Sequence, residues 1–350
     1  MKVNGYKIKS LASLEDADLS NADLSGVNLF SLNLVRVNLS GANLAGATMS
    51  HTNLTDANLS GSNLTGARLP MSLLLRADLS GALLKGGVVS GGYQTNSQPN
   101  FFGANLSGVD LSGEAMWLAN LPGVNLSGAN LANSILCGAC LKDADLSNAD
   151  LSNASFLPYA GVNYETGESF PIFTNLIGVN LQGSNLINAK LSATDLSGAN
   201  LAGANLSFAD LSSTNLSGAN LTGANLTGAV LCDANVTNAN LSGAKLHETN
   251  LERADLSNSD LTNADLSKAI LTRTTLSFAN LEGATLPDLS SANLKGTIFP
   301  DGNWRTTELK PSTFVAAVDI PEQLKKFAEL KDLGIITEDE FLEQKRKLLS

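Results

Sequence analysis

A bulky apolar residue, nearly always leucine, recurs at every fifth position from Leu14 through Leu19, Leu24 and Leu29 to Leu84. The series resumes from Leu106 to Phe156 and runs again without a break from Leu176 to Leu286. Leu294 and Phe299 close it after a short slip, for 51 units in all. Two residues before each leucine stands a small side chain, as at Ala17, Ala42, Ser62, Ala129 and Thr214. The residue between them is most often Asn or Asp (Asn43, Asp145, Asn200), and the two that follow are mainly Ser, Thr, Gly or Asn.

A period of five is neither 3.6 nor 2, so neither an amphipathic helix nor a flat strand accounts for it. A chain that turns a corner once per unit does. The small residue and the leucine lie two apart and point to the same side of an extended segment, while the Asn or Asp between them points out. Four such sides complete a coil in about twenty residues, and stacked coils pair their backbones as in a solenoid.

This is the A-[DN]-L-x-x motif of the pentapeptide-repeat family, which the chain resembles over residues 12–299. The resemblance implies an all-β fold, a right-handed quadrilateral β-helix. Fifty-one units would make about 13 coils and a rod about 60 Å long at about 4.8 Å per coil. Chains of this kind abound in cyanobacteria, and this one is similar to them. Residues 1–13 read as an N-terminal cap, 14–300 as the β-helix, 301–320 as a cap and linker with Trp304 over the open end, and 321–350 as a separate helical unit.

Two segments interrupt the repeat. Residues 85–100 shift the register, because Leu84 and Leu106 are 22 apart, whereas 157–175 preserve it. Aromatic residues are only 5% of the chain, yet they cluster here: Tyr93, Phe101, Phe102, Tyr159, Tyr164, Phe170 and Phe173. Tyr93, Phe102, Tyr159, Tyr164 and Phe170 are the candidate contacts to a partner, unless these aromatics only pin the loops to the rod. Residues 287–289 read as a bulge. Glu114 occupies a small-residue position, where a carboxylate facing leucine would be expensive, so a local distortion turning it outward is expected. Leu32 is oversized for the same position.

The tail is different. Leu324, Phe327, Leu330 and Leu333 recur at three-residue spacing before Gly334, and Thr337 with Glu340 makes a capping box for a second segment carrying Phe341 and Leu348. Residues 324–349 resemble the short C-terminal family called SHOCT, which implies a small α-helical hairpin. So small a hairpin buries little alone. It is expected to dock on the rod, on its copy in a homodimer, or on a partner protein.

Composition narrows the function. No run of 18 apolar residues and no secretory leader is visible. Three cysteines make no disulfide framework, and the many Asn-Leu-Ser/Thr triplets, such as Asn38-Leu39-Ser40, would be glycan acceptors in a eukaryotic secretory pathway. A bacterial cytoplasm is therefore expected, with no membrane span. His51 and His247 have no triad partner or ligand set. Cys137 and Cys140 form a lone C-x-x-C that flanks a corner and points outward. No phosphate loop opens a helix. No catalytic residue, cofactor or metal is expected.

The expected function is a structural or adaptor role through the rod faces, loops and tail. The alternative is a mimic of duplex DNA acting on a type II topoisomerase, as in some members of the family. Charge argues against it. The net charge is −11, whereas a duplex carries about 35 charges over about 60 Å, and the outward acids are interspersed with Asn. Direct nucleic-acid binding is not expected.

Overall fold

The computed structural model describes residues 2–7, 13–86, 100–162 and 168–303. Within the uninterrupted repeats, the outward Asn or Asp forms a parallel bridge with the residue 20 further on, as in Asn200 with Asn220 and Asn220 with Asn240. Since each unit is five residues long, a coil holds four units. The unit 199–203 shows the bonding. Leu201 N donates to Asn220 O at 2.7 Å, Gly203 N to Thr222 O at 2.9 Å, and Asn220 N back to Ala199 O at 2.9 Å. Every coil is thus tied to the next on each side, and the stack is a β-helical solenoid.

The corner is a four-residue turn. Ala204 N donates to Leu201 O at 3.0 Å, and Gly203 between them has φ of +65°, as the third residue of a type II turn requires. Glycine takes that conformation without strain. The same corner position is elsewhere filled by Asn, Asp, Arg and even Phe208 at φ +59°, so tertiary pairing overrides local preference.

Between the sides lies one continuous apolar core from Leu14 to Phe299, built of stacked leucines and alanines. Thr at the small position is tolerated where its hydroxyl finds a leucine carbonyl, whereas Ser62 and Ser134 are buried with their hydroxyls unpaired. Thr214 Oγ1 and Thr194 Oγ1 both donate to Leu191 O, at 2.9 and 2.7 Å. Leu32 is accommodated: it is buried, and the ladder passes through it from Asn53 N at 3.0 Å.

Three expectations need correction. Phe101 is not a loop aromatic. It is buried in the leucine column, and the bridge of Leu73 to Asn100 shows that the first interruption adds seven residues to one coil. Residues 287–289 are not a bulge. Leu289 is buried and Thr275 bridges Asn293, 18 residues on, so one corner has lost its two turn residues and Leu289 belongs to the ladder. The backbone at Glu114 is not distorted either. Glu114 N bonds Leu111 O and Ile135 N bonds Glu114 O, as in any other unit. Its half-buried side chain accepts the Gly86 N–H at 3.1 Å, where the chain leaves the coil for the first interruption.

Four short strands stand apart from the coils. β1 (Lys2–Val3) and β2 (Tyr6–Lys7) form an antiparallel hairpin. It meets the first coil through Asn4 Nδ2 on Ser20 O and the Asp18 N–H on Tyr6 Oη, at 3.2 and 3.4 Å. β3 (Tyr159–Val162) and β4 (Ser169–Ile172) make a second antiparallel hairpin inside the other interruption. That interruption keeps the register, since Cys140 bridges Asn175 and Ser155 bridges Lys190.

Candidate interaction surface

The four outward columns differ in chemistry. On the side that begins at Asp18, asparagines stack and bond along the axis. Asn180 Nδ2 donates to Asp145 Oδ1 at 2.8 Å, Asn200 to Asn180 at 3.0 Å and Asn220 to Asn200 at 3.1 Å. Each of these side-chain oxygens also takes a backbone N–H two residues on, as Ser147 N on Asp145 and Ala202 N on Asn200. A carboxylate accepts but has no proton to pass on, so Asp145 heads this run, as Asp18, Asp23 and Asp195 head others. Such a face satisfies its own polar groups.

Charge divides between outward columns and corners, and three corner arginines pair along the axis. Arg36 bonds Asp16 at 2.7 Å, Arg76 bonds Asp56 at 2.7 Å and Arg253 bonds Asp233 at 2.6 Å, each one coil apart. These guanidinium hydrogen bonds hold the carboxyls of Asp16, Asp56 and Asp233 below the usual range. All are exposed pairs, so each contributes little to stability.

The side that begins at Asn28 is unlike the others. Its outward column carries Ala115, Ile135, Val230 and Ile270 where Asn is the rule. The corner after it carries Met71 and Leu118, the next side presents Leu73, and the corner beyond that side carries Phe102. Phe102 is 54% exposed and Leu73 41%. The hairpin β3–β4 is inserted at this same corner, between Phe156 and Asn175.

Two residues seat the hairpin. Thr174 Oγ1 donates to Phe156 O at 2.8 Å and accepts the Gly138 N–H at 3.0 Å, joining the hairpin's exit to the coil before it. Gly138 is the contact point: a Cβ there would lie 2.9 Å from Tyr159 Cβ and from Leu118 Cδ2. On the hairpin itself the Phe170 ring covers Gly161, where a Cβ would lie 2.9 Å from Cζ. Pro158, Tyr159, Ala160, Ser169, Phe170 and Pro171 line a shallow groove of about 200 Å³.

Of the sequence-nominated aromatics, Tyr159 and Phe170 are brought together in this groove. Phe102 lies on the same flank, one coil before Asn120, which is joined to Asn175 through Cys140. Tyr93 and Tyr164 fall outside the described residues, as do Leu324, Phe327, Leu330, Leu333, Phe341 and Leu348 of the tail and Trp304. Sequence reasoning missed the outward Leu73, Ile135 and Leu118. The signal was present, since an apolar residue where the motif calls for Asn faces solvent.

His247 gains neighbours that sequence reasoning did not give it: its Nε2 lies 3.3 Å from Glu248 Oε1. His51 packs edge-on against the Phe30 ring at 5.4 Å, and His247 Nδ1 lies 2.7 Å from Ser267 Oγ. Cys137 Sγ lies 3.6 Å from Ser155 Oγ, and all three cysteines are free thiols. Among the described residues no group of His, Cys, Asp and Glu could hold a metal ion, and no helix is long and apolar enough to cross a membrane.

The family model for pentapeptide repeats matches residues 10–31, 33–69, 100–136, 118–153, 174–212, 209–247 and 249–286. The chain belongs to the pentapeptide-repeat family. No curated protein sequence matches it. Among solved structures, this pentapeptide-repeat chain is 31% identical to HetL of the cyanobacterium Nostoc sp. strain PCC 7120, a protein involved in heterocyst differentiation regulation. That match covers 80% of this chain and 92% of HetL, with a TM-score of 0.29. It is also 31% identical to Rfr23 of the cyanobacterium Cyanothece 51142, over 39% of this chain and 90% of that one, with a TM-score of 0.30. QnrB1, a plasmid-mediated fluoroquinolone resistance protein, is 18% identical over 83% of this chain and 91% of its own, with a TM-score of 0.26.

Proposed function

We infer that this protein is a non-enzymatic adaptor: a right-handed, four-sided β-helix of a bacterial cytoplasm that holds a protein partner on one apolar flank. The observation that carries this reading is the asymmetry of the outward side chains. The Asp18 side bonds to itself, whereas Leu73, Phe102, Phe170 and Phe173 stand 41% to 54% exposed on the side that begins at Ser13 and at the corners on its two edges. Grouped apolar exposure of this kind marks interaction surfaces, and the rigid coils hold it in a fixed spacing.

Mimicry of duplex DNA is the weaker reading. On the Asp18 side the acids are Asp18, Asp78, Asp145 and Asp260, at least three bridged coil steps apart. That spacing is about 14 Å, against one charge per about 1.7 Å in a duplex. Several corner acids are moreover paired with arginine.

Affinity capture from native lysate tests the adaptor reading. The full chain should retain a protein that the double variant Phe170→Ser, Phe173→Ser loses and that Asn200→Ser, on the self-bonded side, keeps. Equal retention by all three would sink it. A gyrase supercoiling assay with no effect at micromolar protein removes the alternative.

A further inference from the structure

We propose that residues 321–350 of the same chain lie along this apolar flank, between Phe102 and the β3–β4 hairpin, and compete with the partner for it. The proposal rests on reading this flank as a docking surface.

The flank exposes Met71, Leu73, Phe102, Val162, Phe170 and Phe173, and charge borders it: Arg68 stands in the outward column before Met71, and Arg76, paired with Asp56, at the corner of Phe102. An apolar cover with polar edges suits it. The Asp18 side offers no equivalent, because its Asn runs are occupied with one another, and on the Asp23 side Leu83 and Phe208 stand coils apart. The chain continues for 47 residues past Asn303, and its apolar positions Leu324, Phe327, Leu330 and Leu333 belong to a unit too short to bury them by itself.

Reach permits the contact. Six bridged steps separate Asn293, near the end of the described coils, from Asn175 beside the hairpin, which is about 29 Å. Two more bridged steps lead to Asn120, and one further coil to Asn100 next to Phe102, about 43 Å in total. The 17 residues 304–320 span up to about 56 Å when extended. A segment tethered at that length acts at an effective concentration near millimolar. It therefore meets its own flank before it meets that of a second molecule.

Photo-crosslinking of the full chain tests this. A benzoylphenylalanine replacing Phe102 or Phe170 should join to peptides from 321–350 within a monomer-sized band, and the same probe at Asn200 should not. Carbene footprinting gives a second readout: labelling of Met71 and Phe173 should rise severalfold in the full-length variant Leu330→Asp, Leu333→Asp. Cross-links found only between two chains would place the tail in trans and overturn the proposal. So would unchanged labelling together with no cross-link to the tail. Neither readout depends on a partner, so the proposal and the adaptor reading fail separately.

Discussion

The ring of Phe208 lies across Gly228, its counterpart at the same corner one coil further on. A Cβ built on Gly228 would stand 2.6 Å from Phe208 Cε1. The same relationship joins Phe278 to Gly296, and a shorter version joins Asn263 to Gly283. At these corners a residue with a side chain is followed by one without, and the glycine makes room as well as supplying a left-handed φ. Both phenylalanines stay about half exposed, so the packing covers backbone and does not extend the core.

That pairing makes a rescue prediction. Gly228→Ala should destabilise through the ring clash and through φ of +66°. The left-handed conformation alone is worth about 1 kcal/mol against a side chain. Adding Phe208→Gly removes the clash and the strain at residue 208 (φ +59°), so the double variant should recover most of the loss. Urea unfolding of the four proteins in a double-mutant cycle measures the coupling. Strict additivity would show that the ring and the glycine are independent.

The axial Asn runs give a second prediction. Asn180 donates to Asp145 and accepts from Asn200. Asn180→Asp removes the donor and stacks one carboxylate on another, a like-charge contact worth up to about 1 kcal/mol. Asn200→Asp breaks the bond to Asn180 without creating a carboxylate pair. The first variant should melt lower than the second at low ionic strength, and the gap should shrink in high salt as the repulsion is screened. A gap that is independent of salt would rule out charge as its cause.

Most of the architecture could be read from the chain because each unit repeats the same physical decision. Leu201 and Ala199 face in, and Asn200 faces out, for reasons that hold at every coil. What could not be read lay where a unit departs from the pattern. Phe101 resembled a loop aromatic because seven extra residues precede it, and only the bridge of Leu73 to Asn100 restores its place. Leu289 was hidden by a two-residue deletion that leaves the motif intact but moves it out of phase. The flank was half legible. Tyr159 and Phe170 stood out by composition, but their juxtaposition depends on the antiparallel pairing of β3 with β4. The outward Leu73 and Ile135 were lost among dozens of inward leucines.

The core ladder sets the largest single-site effect. Leu201 is fully buried in the longest uninterrupted block. Leu201→Ala should cost about 2–5 kcal/mol. Leu201→Asp should exceed that, because a carboxylate there has neither water nor a partner. Leu294, only partly buried near the last coil, should lose less on change to alanine. In a stack whose coils touch only their neighbours, a central break exposes two new ends, whereas a terminal one trims a single coil. Chemical denaturation followed by circular dichroism ranks the three, and an unaltered midpoint for Leu201→Asp would be incompatible with an inward leucine column.

Acid sensitivity follows from the outward aspartates. The carboxyls of Asp18, Asp23, Asp110 and Asp265 are all lowered, first by the hydroxyl of the serine two residues on and then by that serine's backbone N–H. The Ser20 N to Asp18 Oδ1 distance is 3.0 Å, and Lys85 adds to the effect at Asp110. An unfolded aspartate titrates near about 3.9. A folded value below it means that these contacts stabilise the protein fully above that pH and less as pH falls through the folded values. The melting temperature should therefore be nearly level from neutral pH down to about pH 5 and should drop below about pH 4. Replacing the four serine partners (Ser20, Ser25, Ser112 and Ser267) with alanine should lower stability at neutral pH and flatten the acid limb. A melting temperature that held constant down to pH 2, or an acid limb unchanged in that variant, would show that these turns do not carry the linkage.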